Sequence, residues 1–153
     1  LAWGAELPCY GVSTLEAMAV SHGIYDGIVC ACMDARRSQV YNGVFSVHQG
    51  NISRIAEDRA ISLAELGEEL KALNAPVYLV GDGAVLTHKT LGAEIPSLIL
   101  PPEHRLHQRA VGVALLAAKQ AALGAAPGGA ELTPNYLRLS QAEREKLERE
   151  NKK

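Results

Sequence analysis

An excess of basic charge is the first thing this sequence lacks. Its 15 Lys and Arg are outnumbered by 17 Asp and Glu, giving a formal net charge of -2. It therefore has no electrostatic footprint for gripping an RNA or DNA backbone unaided, and any nucleic-acid role must run through a partner. Cysteine is scarce as well. Cys9, Cys30 and Cys32 are too few and too apolar in their setting for a disulfide framework or a zinc site, and they fit a reducing cytoplasm. No apolar run reaches the roughly 20 residues of a membrane helix, and the N-terminus lacks the basic-then-apolar layout of a secretory signal. A soluble chain with no membrane partner is the expectation. The signatures GxxxxGKS/T, GxGxxG and HExxH do not occur, and there is no internal repeat. An initiator Met is missing too. The chain starts at Leu1, and its first residues read like the end of a helix, so we expect a fragment from which something upstream has been removed.

What is present is 153 residues of 48% hydrophobic content, enough for one ordinary core. Residues 8–12 read as a short apolar strand. Ser13 followed by Glu16 then forms a capping box that opens a helix through about His22, with Leu15, Met18 and Ala19 as its buried stripe. Three β-rich segments follow, Gly27 to Asp34, Gln39 to His48 and Ile52 to about Arg59, and their short loops predict antiparallel pairing. Cys30 and Cys32 are two apart on the first of these, which puts both on one face as small buried hydrophobes.

The period then changes. Ser62 with Glu65 is a second capping box, and Leu63, Leu66, Leu70 and Leu73 recur at helical spacing up to about Asn74. A strand from Pro76 to Val80 leads through Gly81, Asp82 and Gly83 into a short helix ending near Leu91. An apolar stretch, Ile95 to Leu100, is stopped by Pro101 and Pro102. Residues 103–123 read as one long Ala-rich helix, closed by Gly124 and a flexible run over 125–129. Beyond it, Pro134 to Arg138 is an extended arm, with Tyr136 expected to bury its ring on the body. Ser140 with Glu143 opens a charged helix in which Glu145 pairs with Arg149 and Lys146 with Glu150.

Three strands, then helix, strand, helix, strand, helix is the order of a ribonuclease H-like lobe, an α/β fold whose antiparallel meander feeds a parallel part of the sheet. We expect residues 24–124 to form that lobe, 125–153 to be linker and C-terminal arm, and 1–23 to be a remnant of a preceding lobe.

Four segments, GVSTLEAMA at 11–19, DARRSQVY at 34–41, GDGA at 81–84 and PNYLRLSQAERE at 134–145, occur in an order and spacing that, with LAWGAELP at 1–8, resemble the TsaB (YeaZ) family. The resemblance covers nearly the whole chain. It implies an actin-like fold and a non-catalytic role in forming threonylcarbamoyladenosine at position 37 of tRNA. TsaB is there the obligate partner of TsaD, the transferring subunit, and TsaE, an ATPase, completes the complex. The resemblance further implies homodimers, contact with tRNA only indirectly, and no cofactor of its own, ATP entering through TsaD or TsaE. The family's N-terminal lobe, with its Asp-Thr opening strand, its Gly-rich segment and the helices that contact TsaD, has no counterpart in this sequence.

The alternative is an actin-like nucleotide-binding protein or enzyme, in line with an older glycoprotease (peptidase M22-like) label. Asp34 ends an otherwise apolar strand, where open α/β sheets place ligand groups, and Arg36 and Arg37 follow it. The plainer reading has Asp34 capping the turn and pairing with an Arg. Gly81, Asp82 and Gly83 join strand to helix where backbone amides can hold a phosphate, and in the actin-like superfamily such a turn meets adenine nucleotide. Asp82 would oppose that phosphate, however, and serves more naturally as an N-cap. His104 and His107, three apart, could offer two metal ligands, yet no HExxH accompanies them and the HxxxH motif of TsaD relatives is absent, so no metal is expected. Ser13, Glu16, Arg36, Tyr136 and Arg138 are read as structural or interface residues.

Overall fold

The strand Gly27–Asp34 (β1) is the hub of the fold, and its composition says why. In the computed structural model, which describes residues 1–22, 26–124 and 128–138, it lies between two neighbours and is covered on both faces. A strand buried on both sides reads as a near-continuous apolar run rather than an alternation. Val29 and Ala31 enter one core, and Cys30 and Cys32 the other.

β1 pairs antiparallel with β2 (Gln39–His48), which pairs antiparallel with β3 (Asn51–Ser62). On its other side β1 runs parallel to β4 (Val77–Val80), which is parallel to the short β5 (Leu98–Ile99). The order β3-β2-β1-β4-β5 is the meander feeding a parallel half that the element order predicts. β3 is an edge strand in which exposed Asn51, Ser53, Ile55 and Glu57 alternate with half-buried Ile52, Arg54, Ala56 and Asp58, but register shifts opposite Asn42–Phe45 send Ile52 to one core and Ala56 to the other.

Helices cover both faces. On one, α2 (Leu63–Ala72) and α3 (Ala84–Leu91) deliver Leu63, Leu66, Leu70, Ala84 and Leu91 onto Cys30, Cys32, Val40, Val44 and Leu79. The Ser62–Glu65 capping box forms in full, each residue bonding the other's backbone, which satisfies two otherwise orphaned amides. On the opposite face, α1 (Thr14–His22) sets Leu15, Met18 and Ala19 against Val29, Ala31, Phe45 and Val80. α4 (Ala110–Ala122) packs outside α1 rather than on the sheet. Gly112 permits that approach, since a Cβ there would stand 2.1 Å from the Ala17 carbonyl oxygen.

Several segments differ from expectation. Residues 8–12 form no strand beyond a single bridge between Pro8 and Gly128. The segment runs beside the irregular arm around Gly129 and Leu132, not beside a sheet edge, and Pro8 has no N–H to donate. The long helix over 103–123 is divided into a 3-10 turn, Glu103–Arg105, and α4. Between them the Leu106 carbonyl accepts the Gly81 amide at 2.6 Å while its side chain enters the core, and Arg109 is extended. Anchoring Leu106 at the end of β4 is incompatible with a continuous helix. In the arm, Tyr136 stays 83% exposed and half-buried Leu137 packs against the core instead, so the ring does not dock. The charged helix expected from Ser140 lies outside the described residues.

Candidate functional site

The carboxyl ends of β1 and β4 lie side by side, the place where open α/β sheets hold ligands, and they carry Asp34 and the Gly81–Gly83 turn. Gly81 has φ +100, and a Cβ there would lie 2.0 Å from the Cys32 carbonyl oxygen, so only glycine fits. The turn's amides are engaged within the fold. Gly81 N–H donates to Leu106 O at 2.6 Å and Gly83 N–H to Cys32 O at 3.0 Å. Asp82 does not cap α3, whose N-cap is Gly83 without a side-chain bond. Its Oδ1 instead accepts the Asp34 amide at 3.3 Å, tying the two strand ends together. The N-cap expectation fails because the carboxylate finds a donor across the sheet rather than in its own helix.

Asp34 caps its turn: Oδ1 accepts the Arg36 amide at 2.7 Å. Arg36, Arg37 and Ser38 all have positive φ, at 61°, 54° and 57°, conformations unfavourable for residues with a Cβ. The loop is held from both sides, by Ala35 N–H to Gln39 O at 3.0 Å and by Arg138 Nη1 donating to Ala35 O at 2.8 Å. Arg138 thus fastens the arm to the loop, while Arg36 and Arg37 remain exposed.

A groove of 850 Å³ opens next to this loop, lined by residues 11–15, Met33, Tyr41, Asp58 and 132–138. Three widely separated segments singled out in the sequence, around Ser13, around Tyr41 and around Tyr136, therefore share one wall-and-floor arrangement. At its α1 end is an ionic cluster that sequence reasoning missed. Ser13 Oγ accepts the Glu16 amide at 3.0 Å and donates to Asp58 Oδ2. Arg54 reaches Glu16 Oε2 at 2.6 Å and Asp58 Oδ1 at 2.5 Å, with its guanidinium 4.7 Å from the Phe45 ring centre. Glu16 thus spends its carboxylate on Arg54 instead of closing a capping box. Burial works against the Arg54 charge, but hydrogen bonds and attraction from Asp58 and Glu16 outweigh it and raise its pKa. The signal was only partial: Arg54 and Asp58 are four apart on an edge strand, but Ala56 between them packs on the opposite core, and it takes the two register shifts opposite Asn42–Phe45 to return both to one face.

The remaining candidates are placed simply. His104 and His107 are exposed, in the 3-10 turn and the loop after it, and among the described residues no group of three His, Cys, Asp or Glu could hold a metal ion. Cys30 and Cys32 are fully buried with Sγ atoms 3.5 Å apart, and Asn42 Nδ2 donates to Cys30 at 3.2 Å. The bond with Cys32, then burial, push the Cys30 thiol well up, which makes it a packing group rather than a nucleophile. Among the described residues no helix is long and apolar enough to cross a membrane.

Known proteins resemble this arrangement. Residues 1–146 match the family model for TsaD, tRNA N6-adenosine threonylcarbamoyltransferase. The "tRNA threonylcarbamoyladenosine biosynthesis protein TsaB" of Bacillus subtilis (strain 168) is 30% identical over 150 residues, which is 97% of this chain and 63% of the relative. A crystal structure from Pseudomonas aeruginosa, of a protein described by its similarity to peptidase YeaZ, superposes with a TM-score of 0.67 at 22% identity, covering 90% of this chain and 62% of that one. YeaZ from Pseudomonas aeruginosa superposes at 0.64 and 20% identity, with 88% and 62% covered. These likenesses show a fold shared with the two Pseudomonas aeruginosa structures. The chain spans a little under two thirds of the length of these relatives.

Proposed function

The chain belongs to the TsaD family, tRNA N6-adenosine threonylcarbamoyltransferase, and on that premise we propose that it serves threonylcarbamoyladenosine formation in tRNA as a TsaB-type subunit, not as the transferase. The observation that carries this reading is the 30% identity to a protein named TsaB, sustained over 97% of the chain. It makes the working part of the molecule its surface. TsaD is the partner it holds in an active arrangement, TsaE docks on the assembly, and tRNA is reached through TsaD, in keeping with a net charge of -2. ATP enters through TsaD or TsaE, and a homodimer and a cytoplasmic setting belong to the same reading.

The local chemistry supports a scaffold. At the carboxyl ends of β1 and β4, where a nucleotide would sit, the Gly81 and Gly83 amides already donate within the fold and the Asp82 carboxylate faces Asp34. A phosphate would have to displace those bonds and oppose a negative charge, so the nucleotide-binding alternative draws no support from this turn. Copurification tests the proposal: the complete protein that contains this chain, coexpressed with tagged TsaD of the same source, is expected to elute with it at equal stoichiometry. Elution of TsaD alone, with both proteins folded and soluble, would remove the scaffold reading.

A further inference from the structure

Between α2 and α3, on the face of the sheet away from α1, runs a second groove of 650 Å³. Its floor is apolar. Leu63 and Leu91 form its base, and Gly67 lets the helices close up, since a Cβ there would stand 3.0 Å from Leu91 Cδ2. Leu86 is left 38% exposed along one wall. The rim is acidic, with Glu65 and Glu68 on one side and Glu94 on the other. Lys71 is the one cation of the lining, and its ammonium lies 2.9 Å from both Glu68 and Glu94, reaching from one wall to the other. Three carboxylates against one ammonium leave the rim two charges negative.

We propose that this groove docks a basic amphipathic helix of a partner protein, its apolar side chains on Leu86 and Leu91 and its Lys or Arg side chains on Glu68 and Glu94. An apolar trough between two helices is the form that takes a third helix by its i, i+3, i+4 face. Charge decides the occupant. The acidic rim repels a nucleic-acid backbone and an anionic membrane alike, and selects a cationic face. The chain's own Lys71 shows that the two carboxylates are spaced to share one ammonium, and because that pair is solvent-exposed it is weakly held and open to exchange with an incoming cation. The inference is independent of the TsaB-type reading, since it rests on the shape and charge of this groove and not on likeness to other proteins.

The probe is a synthetic 14-residue helix of Leu and Lys with Leu on one face, its counterpart with Glu in place of Lys, and the 15N-labelled chain observed by amide NMR. Shifts are expected along α2 and α3 with the Lys peptide only. The double substitution Glu68→Lys with Glu94→Lys should weaken binding about tenfold or more, the scale of a lost pair of interfacial charge contacts. Lys71→Met should tighten it severalfold by removing the internal competitor, and it carries the test if the charge reversal fails to fold. Shifts centred on α4 or elsewhere would overturn the proposal, as would affinity unchanged in both variants or shifts in this groove on adding tRNA or anionic vesicles instead of the peptide.

Discussion

The two faces of the sheet are finished in different ways. The α2/α3 face is closed by leucines: Leu66 and Leu70 are all but inaccessible, and the helices that bring them sit directly on the strands. The α1 face has a smaller core, with α4 stacked outside α1 and an ionic cluster, Ser13, Glu16, Arg54 and Asp58, tying α1 to the edge strand β3. It also leaves apolar surface in water, with Val111 and Leu115 on α4 more than half exposed. The first face is a core in the ordinary sense, and the second is a jointed structure held by polar contacts at its margin. Stability should therefore reside in the first face and adjustability in the second.

Leu66→Ala probes the closed face most severely. A fully buried leucine in a tight setting should cost about 2–5 kcal/mol, read by urea unfolding, with hydrogen exchange rising across α2, α3 and the strands together. If only α2 loosened, the idea of one cooperative core there would be broken. Arg54→Met should cost less, about 1–2 kcal/mol, because it leaves Asp58 and Glu16 without their cation in a partly solvated site. Its exchange increase should be confined to α1 and β3, and an equal increase in α2 would erase the contrast between the faces.

Ser62→Ala removes the intact capping box of α2 and should cost about 1 kcal/mol. The corresponding Ser13→Ala changes a residue that bonds both Glu16 N–H and Asp58, so its effect should depend on Arg54. A double-mutant cycle showing additivity would mean that the cluster is not one unit. The smallest effect concerns pH. His22, buried at the C-terminal end of α1 beside the Tyr78 ring at 5.0 Å, is held below its usual value of 6.5 by burial and then by the charge of Arg105. The unfolded chain then takes up a proton more readily, so this contribution is intact above about pH 6.5 and lost as pH falls through the lowered folded value. His22→Gln should flatten that part of the stability profile. An unchanged slope would show that His22 does not set it.

Much of the closed face was legible in the sequence and less of the jointed one. Leu63, Leu66 and Leu70 announce α2 by spacing alone, the Ser62–Glu65 pair marks its start, and β1 to β3 read as strands because short loops separate β-rich runs. Those signals are local, and so is the physics behind them. The misreadings lie where a distant group decides. Leu106 interrupts a helix that composition favours because Gly81 claims its carbonyl. Asp82 leaves its expected capping place for an amide 48 residues away, and Leu137 displaces Tyr136 from the surface of the core. Residues 8–12 have strand composition but no sheet edge to join. In the candidate site, the meeting of Asp34 with the Gly81–Gly83 turn followed from topology, whereas the Arg54 cluster depends on which side of an edge strand faces α1.

Mass spectrometry of tRNA nucleosides tests whether this chain serves threonylcarbamoyladenosine formation as the TsaB-type subunit proposed above. Cells depleted of their own TsaB would be supplied with the complete gene that encodes this chain, together with its cognate TsaD. Threonylcarbamoyladenosine is expected to return toward the undepleted level, and to do so with Asp34→Asn and Asp82→Asn as well. Its continued absence, with both proteins expressed and soluble, would rule out a TsaB-type role for the chain.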